Sequence, residues 1–287
     1  MTGEIVKGIG GFYYVATEEG VYQCRARGLF KKKKITPTVG DQVKITVLDD
    51  EEAVIDEIFP RSNLFVRPAV SNVDLMITVV AAKDPAPNAQ VIDRMLVTAE
   101  KSGTDAALCI NKTDLSDGEA ENTGSIYENI YPVIYLSCVT GEGIEELKEL
   151  IRGKRVALTG PSGVGKSTIL NTLKPEAEAE TGTVSDKTQR GRHTTRHVEI
   201  FDLPGGTKVY DTPGFTSFEM QPDDGEDVPL DRFFPEMEKF LGHCRYDNCR
   251  HMSEPGCRIK EAVENGEIHK SRYQSYLKQM EDLQERK

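Results

Sequence analysis

One loop constrains this chain more than any other feature: Gly160-Pro161-Ser162-Gly163-Val164-Gly165-Lys166-Ser167-Thr168, the pattern G-x-x-x-x-G-K-S. Its glycines let successive backbone N–H groups turn inward around phosphate oxygens, and a following helix adds its positive N-terminus. In such a loop the lysine, here Lys166, reaches the terminal phosphates, and the hydroxyl of Ser167 ligates Mg²⁺. The context agrees, because Arg155-Val156-Ala157-Leu158 reads as a strand before it and a helix follows. A phosphate loop of this type requires an α/β sheet around it.

The flanking sequence supplies that sheet. Asp74–Val80, Ala106–Ile110 and Pro132–Leu136 read as buried strands. Between them, Ile92, Met95, Leu96 and Ala99 fall on one helical face closed by Gly103, and Ile144, Leu147, Leu150 and Ile151 stripe a second helix. Alternating strand and helix predict a parallel sheet with helices on both faces. Residues 1–70 differ. Phe12–Val15, Gly20–Ala26, Gln42–Val47 and Ala53–Ile58 are short β-branched and aromatic runs punctuated by glycine and acidic turns, which suggests a small closed β-barrel of OB type. Arg25, Arg27 and Lys31–Lys34 form a basic patch on one strand and the loop after it, either a solvated loop or a nucleic-acid contact. After about Phe218 come an acidic stretch, a cysteine cluster and a charged, helix-like tail over 267–287. The expected division is 1–70, 71–217 and 218–287, a multidomain α/β chain whose last part is mostly helical.

Base-reading residues stand upstream of the phosphate loop. Asn111-Lys112-Thr113-Asp114 follows the strand ending at Ile110 and resembles the N-K-x-D box of GTPases. There the carboxylate accepts from N1 and N2 of guanine, and adenine would leave that acceptor unpaired. Ser137-Cys138-Val139-Thr140-Gly141 resembles the S-A-x-x-G loop that holds guanine O6, with Cys138 in place of alanine. Downstream, Asp211-Thr212-Pro213-Gly214 matches the D-x-x-G switch, in which Asp211 would hold Mg²⁺ through water and Gly214 would contact the γ-phosphate. Gly191-Arg192-His193-Thr194-Thr195-Arg196 lies where the first switch belongs. One of its threonines should bind Mg²⁺: Thr195, which precedes an arginine as in related switches, with Thr194 as the alternative. The boxes are complete but rotated, guanine boxes first, which is a circular permutation. Phe215 stands where Ras-like enzymes carry a water-orienting glutamine, so His193 is the nearest titratable candidate for that task. Its alternatives are an exposed loop histidine and an RNA contact.

Cys244-x4-Cys249-x-His251-x5-Cys257 places three thiols and an imidazole within fourteen residues. That set suits a closed tetrahedral structural Zn²⁺ with no position left for water. His243 is a competing ligand, and a disulfide is the alternative that leaves an odd thiol. Arg245, Arg250, Arg258 and Lys260, interleaved with the cluster, suit phosphate contact.

Taken together, the barrel, the rotated boxes, G-R-H-T-T and the Cys/His knuckle resemble the RsgA family of bacterial GTPases. The resemblance covers nearly the whole chain. It implies GTP hydrolysis late in maturation of the 30S ribosomal subunit, contacts of the barrel and zinc region with 16S rRNA, stimulation by the subunit, and a catalytic histidine at His193. A monomer binding GTP and GDP is expected. Other readings are an RNA-binding module whose hydrolysis is incidental, and a permuted GTPase acting on tRNA or the large subunit. The 36 basic against 47 acidic residues give a formal charge of −11, so RNA contact must be confined to local basic faces. The sequence shows neither an export leader nor an apolar run long enough to span a membrane, so a cytoplasmic protein is expected.

Overall fold

The computed structural model describes residues 1–32, 34–48, 52–174, 198–212, 216–220 and 228–285, without the side chains of Lys31 and Lys32. Lys33, His193, Thr194, Thr195 and Gly214 lie outside these residues.

The first five strands are β1 (Thr2–Ile9), β2 (Phe12–Thr17), β3 (Gly20–Ala26), β4 (Gln42–Val47) and β5 (Glu52–Ile58). Their order is β1-β2-β3-β5-β4, and β1 also pairs with β4, so the sheet closes into an OB-type barrel. The two-residue side-chain period turns Ile5, Val15, Cys24, Val43, Ile45 and Ile55 into the barrel, none more than 1% exposed. Part of the basic run forms a short helix, α1 (Gly28–Lys32), where the sequence suggested a loop. Arg27 is paired with Asp56 at 2.6 Å, and the Arg25 guanidinium lies 4.7 Å over the Phe12 ring. A hairpin, β6 (Leu64–Arg67) and β7 (Ala69–Ser71), connects the barrel to the nucleotide fold.

The nucleotide-fold part of the sheet uses β8 (Leu75–Ala81), β9 (Asp105–Asn111), β10 (Val133–Leu136), β11 (Arg155–Thr159), β12 (Glu199–Leu203) and β13 (Thr207–Asp211). Its order is β10-β9-β8-β11-β13-β12. Helices α2 (Ala89–Ser102), α3 (Glu119–Gly124), α4 (Ile144–Ile151) and α5 (Lys166–Leu173) accompany it. All of β8 is buried, as a strand covered on both faces must be. The expected all-parallel sheet is in fact mixed, because β12 runs antiparallel to β13 at the edge. That edge is not free: Lys7 of β1 pairs with Glu199 of β12, so one continuous sheet joins barrel and nucleotide fold. Glu4 of β1, buried where the barrel meets the nucleotide fold, receives Arg155 Nε and Lys208 Nζ, each at 2.9 Å, from the strands β11 and β13.

Beyond β13, a two-residue strand, β14 (Glu219–Met220), returns to pair with β6. Turns of 3-10 helix over Leu230–Phe233 and Pro235–Phe240 then lead to α6 (Arg258–Glu264) and α7 (Lys270–Glu285). This region packs on α2 through Val97, Phe234, Met237, Ile259 and Tyr276. At its centre Arg272, fully buried, donates to Asp93 of α2 at 2.7 Å and to both oxygens of Glu236 at 2.7 and 2.9 Å. No helix among the described residues is long and apolar enough to cross a membrane.

Candidate functional site

The phosphate loop leaves β11 and enters α5 at Lys166, which places it at the C-terminal end of a central strand. Two of its glycines are obligatory. Gly160 has φ +144°, and a Cβ there would meet the Val79 carbonyl oxygen at 2.1 Å; at Gly165, φ +98°, a Cβ would meet Asn111 Nδ2 at 2.2 Å. Gly163, Ser162, Ser167 and Thr168 face solvent, while Val164 is buried as the loop's apolar anchor and Pro161 is half-buried. The Lys166 ammonium folds over the loop and donates to the Gly160 and Pro161 carbonyls at 2.5 and 2.8 Å. Burial holds this lysine below its ordinary range, it has no acidic partner among the described residues, and a bound phosphate would supply a counter-charge.

The segments 111–114 and 137–141, which the sequence likens to guanine-reading boxes, follow β9 and β10 and approach this loop. Buried Asn111 donates Nδ2 to the Val164 carbonyl at 2.8 Å, which locks the N-K-x-D strand end to the phosphate loop. Its Oδ1 is buried without a hydrogen-bond partner among the described residues. Lys112, at φ +63°, sends its ammonium to the Asp84 carbonyl at 2.5 Å. Thr113 donates to Glu142 at 2.8 Å across the mouth of the site. The Ser137 hydroxyl accepts from the N–H groups of Val139 and Thr140 and donates to Asp114 Oδ1 at 2.6 Å. The exposed Asp114 carboxylate is thereby held in one orientation. Cys138 is half-buried beneath the same loop and its thiol is raised by burial, which suits a small packing residue in an alanine's place.

Asp211 ends β13, and Lys174 at the end of α5 lies 4.0 Å from its carboxylate. Burial raises the Asp211 carboxyl above its usual range, with Lys174 opposing. A cation beside it would reverse that penalty, as Mg²⁺ with a nucleotide would. Thr216 closes the loop from the far side: its carbonyl accepts from the Gly160 N–H at 3.0 Å and the Thr159 hydroxyl at 3.1 Å. Sequence reading missed Thr216, Glu142 and Lys174, because each acts through a partner more than 25 residues away.

A separate cluster lies in the C-terminal region. The ligand atoms of Cys244, Cys249, His251 and Cys257 all fall within 4.8 Å of one another. Measured edges are 3.6 Å from Cys244 Sγ to His251 Nδ1, 4.0 Å from Cys244 Sγ to Cys257 Sγ, and 3.4 Å from His251 Nδ1 to Cys257 Sγ. A tetrahedral Zn²⁺ with bonds of about 2.0–2.3 Å needs donor separations of roughly 3.5–3.8 Å, so the donors fit zinc. His251 turns Nε2 to Asp231 at 3.1 Å, the outer contact that orients a metal-binding imidazole. The Arg258 N–H donates to Cys244 Sγ, which suits a thiolate. All six cysteines are free, against the disulfide alternative, and His243 is exposed outside the cluster. Burial pushes the Cys249 and Cys257 thiols up, whereas at Cys244 burial is outweighed by hydrogen bonds, that from the Arg258 N–H first, and its thiol is lowered; a dication among them would favour the thiolate form of all three. Asp231 escaped sequence reading: it stands 20 residues from His251 and no spacing rule points to it.

Comparison with known proteins agrees with this geometry. The family model described as RsgA GTPase matches residues 58–221, and that for the RsgA N-terminal domain matches 2–55. The chain belongs to the RsgA GTPase family. Among curated relatives, the small ribosomal subunit biogenesis GTPase RsgA of Ruminiclostridium cellulolyticum is 45% identical over 283 residues, covering 96% of this chain and 91% of that one. Its namesake in Bacillus anthracis is 43% identical over 290 residues, covering 99% and 98%. Two solved structures match along nearly the whole chain. YjeQ from Thermotoga maritima gives a TM-score of 0.83 at 36% identity, with 98% of each chain covered. YloQ, described as a circularly permuted GTPase, gives 0.80 at 36% identity, covering 100% of this chain and 96% of that one. The chain is a GTP hydrolase of RsgA type, and its fold matches that of a GTPase described as circularly permuted.

Proposed function

We propose that this GTPase acts late in maturation of the 30S ribosomal subunit, docking on 16S rRNA in its GTP form and leaving after hydrolysis to GDP and phosphate. The observation that carries this is end-to-end similarity to proteins named for small-subunit biogenesis, barrel and C-terminal region included. Three units share the work: a barrel over 1–70 and a zinc region over 218–287 for rRNA, and a GTPase over 71–217. Within the site, the amides of Gly160–Gly165 and the Lys166 ammonium bind the phosphates. The Asp114 carboxylate, oriented by Ser137, reads guanine N1 and N2, and the backbone after Ser137 meets O6. Ser167, Thr195 (or Thr194) and Asp211 would hold Mg²⁺, and Gly214 the γ-phosphate. When bound, the ion would supply positive charge against the developing charge of the phosphates. His193 holds and orients the attacking water, the task that Phe215 cannot perform.

The four-ligand zinc site, Cys244, Cys249, His251 and Cys257, is structural, since no position remains for water. With a charge of −11, RNA contact falls to Lys31–Lys34 and to the zinc region, where Arg245 and Arg250 are exposed. The protein works as a cytoplasmic monomer. Co-sedimentation with purified 30S subunits tests the docking cycle. Retention with a non-hydrolysable GTP analogue and release with GDP are expected; equal retention in both states refutes a GTP-gated factor.

A further inference from the structure

Tyr210 immediately precedes Asp211 but serves the opposite face of β13: Tyr210 lies in the barrel-side core, and Val209 in the core beneath the phosphate loop. The tyrosine is fully buried, and its hydroxyl donates to the Ser71 carbonyl at 2.5 Å, at the foot of the hairpin β6–β7. Gly40 makes this approach possible. Its φ is +96°, and a Cβ there would lie 2.4 Å from the Tyr210 oxygen and 2.2 Å from the Ser71 carbonyl oxygen. The acceptor is itself fixed. Ser71 donates its N–H to the Val39 carbonyl at 2.9 Å and its hydroxyl to buried Asp41 at 2.7 Å.

The same hairpin also holds the chain on the other side of Asp211. Phe218 packs edge-to-face on Phe65, with centroids 5.2 Å apart, and Glu219 and Met220 pair with Arg67 and Phe65. From there Thr216 reaches back to Gly160. Pairing of β13 with the phosphate-loop strand β11 ends at Tyr210 opposite Ala157, so Asp211 projects beyond that ladder's last rung and, among the described residues, has only Glu199 of β12 as a strand partner. Tyr210 is therefore the last pinned residue before the carboxylate.

We infer that Tyr210 is a positioning residue for Asp211, its hydroxyl on Ser71 setting how far β13 carries the carboxylate toward the phosphate loop, with the hairpin β6–β7 as the frame. This rests on the reading of Asp211 as the Mg²⁺-binding carboxylate. The test is the affinity for a fluorescent GDP in Mg²⁺ and in EDTA, measured for the wild type, Tyr210→Phe, Phe65→Leu and Asp211→Asn. The Mg²⁺-dependent gain in affinity is the readout, because a merely structural hydroxyl would not move it. Tyr210→Phe is expected to lose roughly two- to tenfold of that gain, the worth of one buried hydrogen bond, with affinity in EDTA unchanged. Phe65→Leu, which loosens the frame without touching Tyr210, should shift it the same way. A full Mg²⁺ gain in Tyr210→Phe, with only a lower melting temperature, overturns the inference while leaving Asp211 intact. A full gain in Asp211→Asn instead removes Asp211 from the metal site, and the inference falls with it.

Discussion

Replacing Arg272 by methionine should be the most damaging single substitution in the C-terminal region. The arginine is fully buried, as is Asp93, and it supplies three charge-assisted hydrogen bonds, one to Asp93 and two to Glu236. The guanidinium also lies 4.8 Å over the Phe234 ring and 5.6 and 5.8 Å from the rings of Tyr127 and Tyr131. Methionine fills much of the volume but leaves two carboxylates facing each other without a cation. Removing one partner of a buried pair costs about 3–5 kcal/mol, a large share of the roughly 5–15 kcal/mol that holds a domain together. Lysine keeps the charge but lacks the planar fork, so Arg272→Lys should fall between. Urea unfolding at neutral pH, followed through the melting of α7, measures both. Adding Asp93→Asn to Arg272→Met should recover part of the loss, because one orphaned charge is then gone. A loss below about 1 kcal/mol for Arg272→Met would show that these carboxylates find solvent or protons easily and that the latch onto α2 is weak.

Three further outcomes are expected. Asp114→Asn should shift preference from GTP toward xanthosine triphosphate, since the amide donates where the carboxylate accepted; unchanged selectivity in a competition assay removes Asn111–Asp114 from the base site. His193→Ala should bind GTP and dock on subunits normally but lose about 10²–10⁴-fold of stimulated hydrolysis, and turnover within threefold of wild type on 30S returns the water to another group. Cys249→Ser should release zinc, melt the segment from about residue 240 and weaken 30S binding while basal hydrolysis persists; a purified wild-type protein without zinc by metal analysis contradicts the structural-metal reading.

Local chemistry was legible in the sequence and long-range chemistry was not. Helix α2 was readable at its C-terminal end because that cap is local, Gly103 at φ +64°; at the other end Asn88 Oδ1 accepts from the N–H groups of Gln90 and Val91. The Cys/His set was readable because its spacing is short. Strand β1 was hidden, since Glu4 is a buried acid satisfied by Arg155 and Lys208 and a bulge between Ile5 and Lys7 breaks the alternation. The hairpin β6–β7 was hidden by Pro68, which sits at the turn of a run too short to read as two strands. The joint between barrel and GTPase depends on Glu4, Tyr210 and Gly40, and no window of sequence contains all three.

The rate of GTP hydrolysis by the purified chain, with and without isolated small ribosomal subunits, tests the assignment most directly. Stimulation of about 10²-fold or more by 30S, absent with 50S subunits or tRNA, is the expected result. No stimulation by 30S, or equal stimulation by 50S, contradicts it.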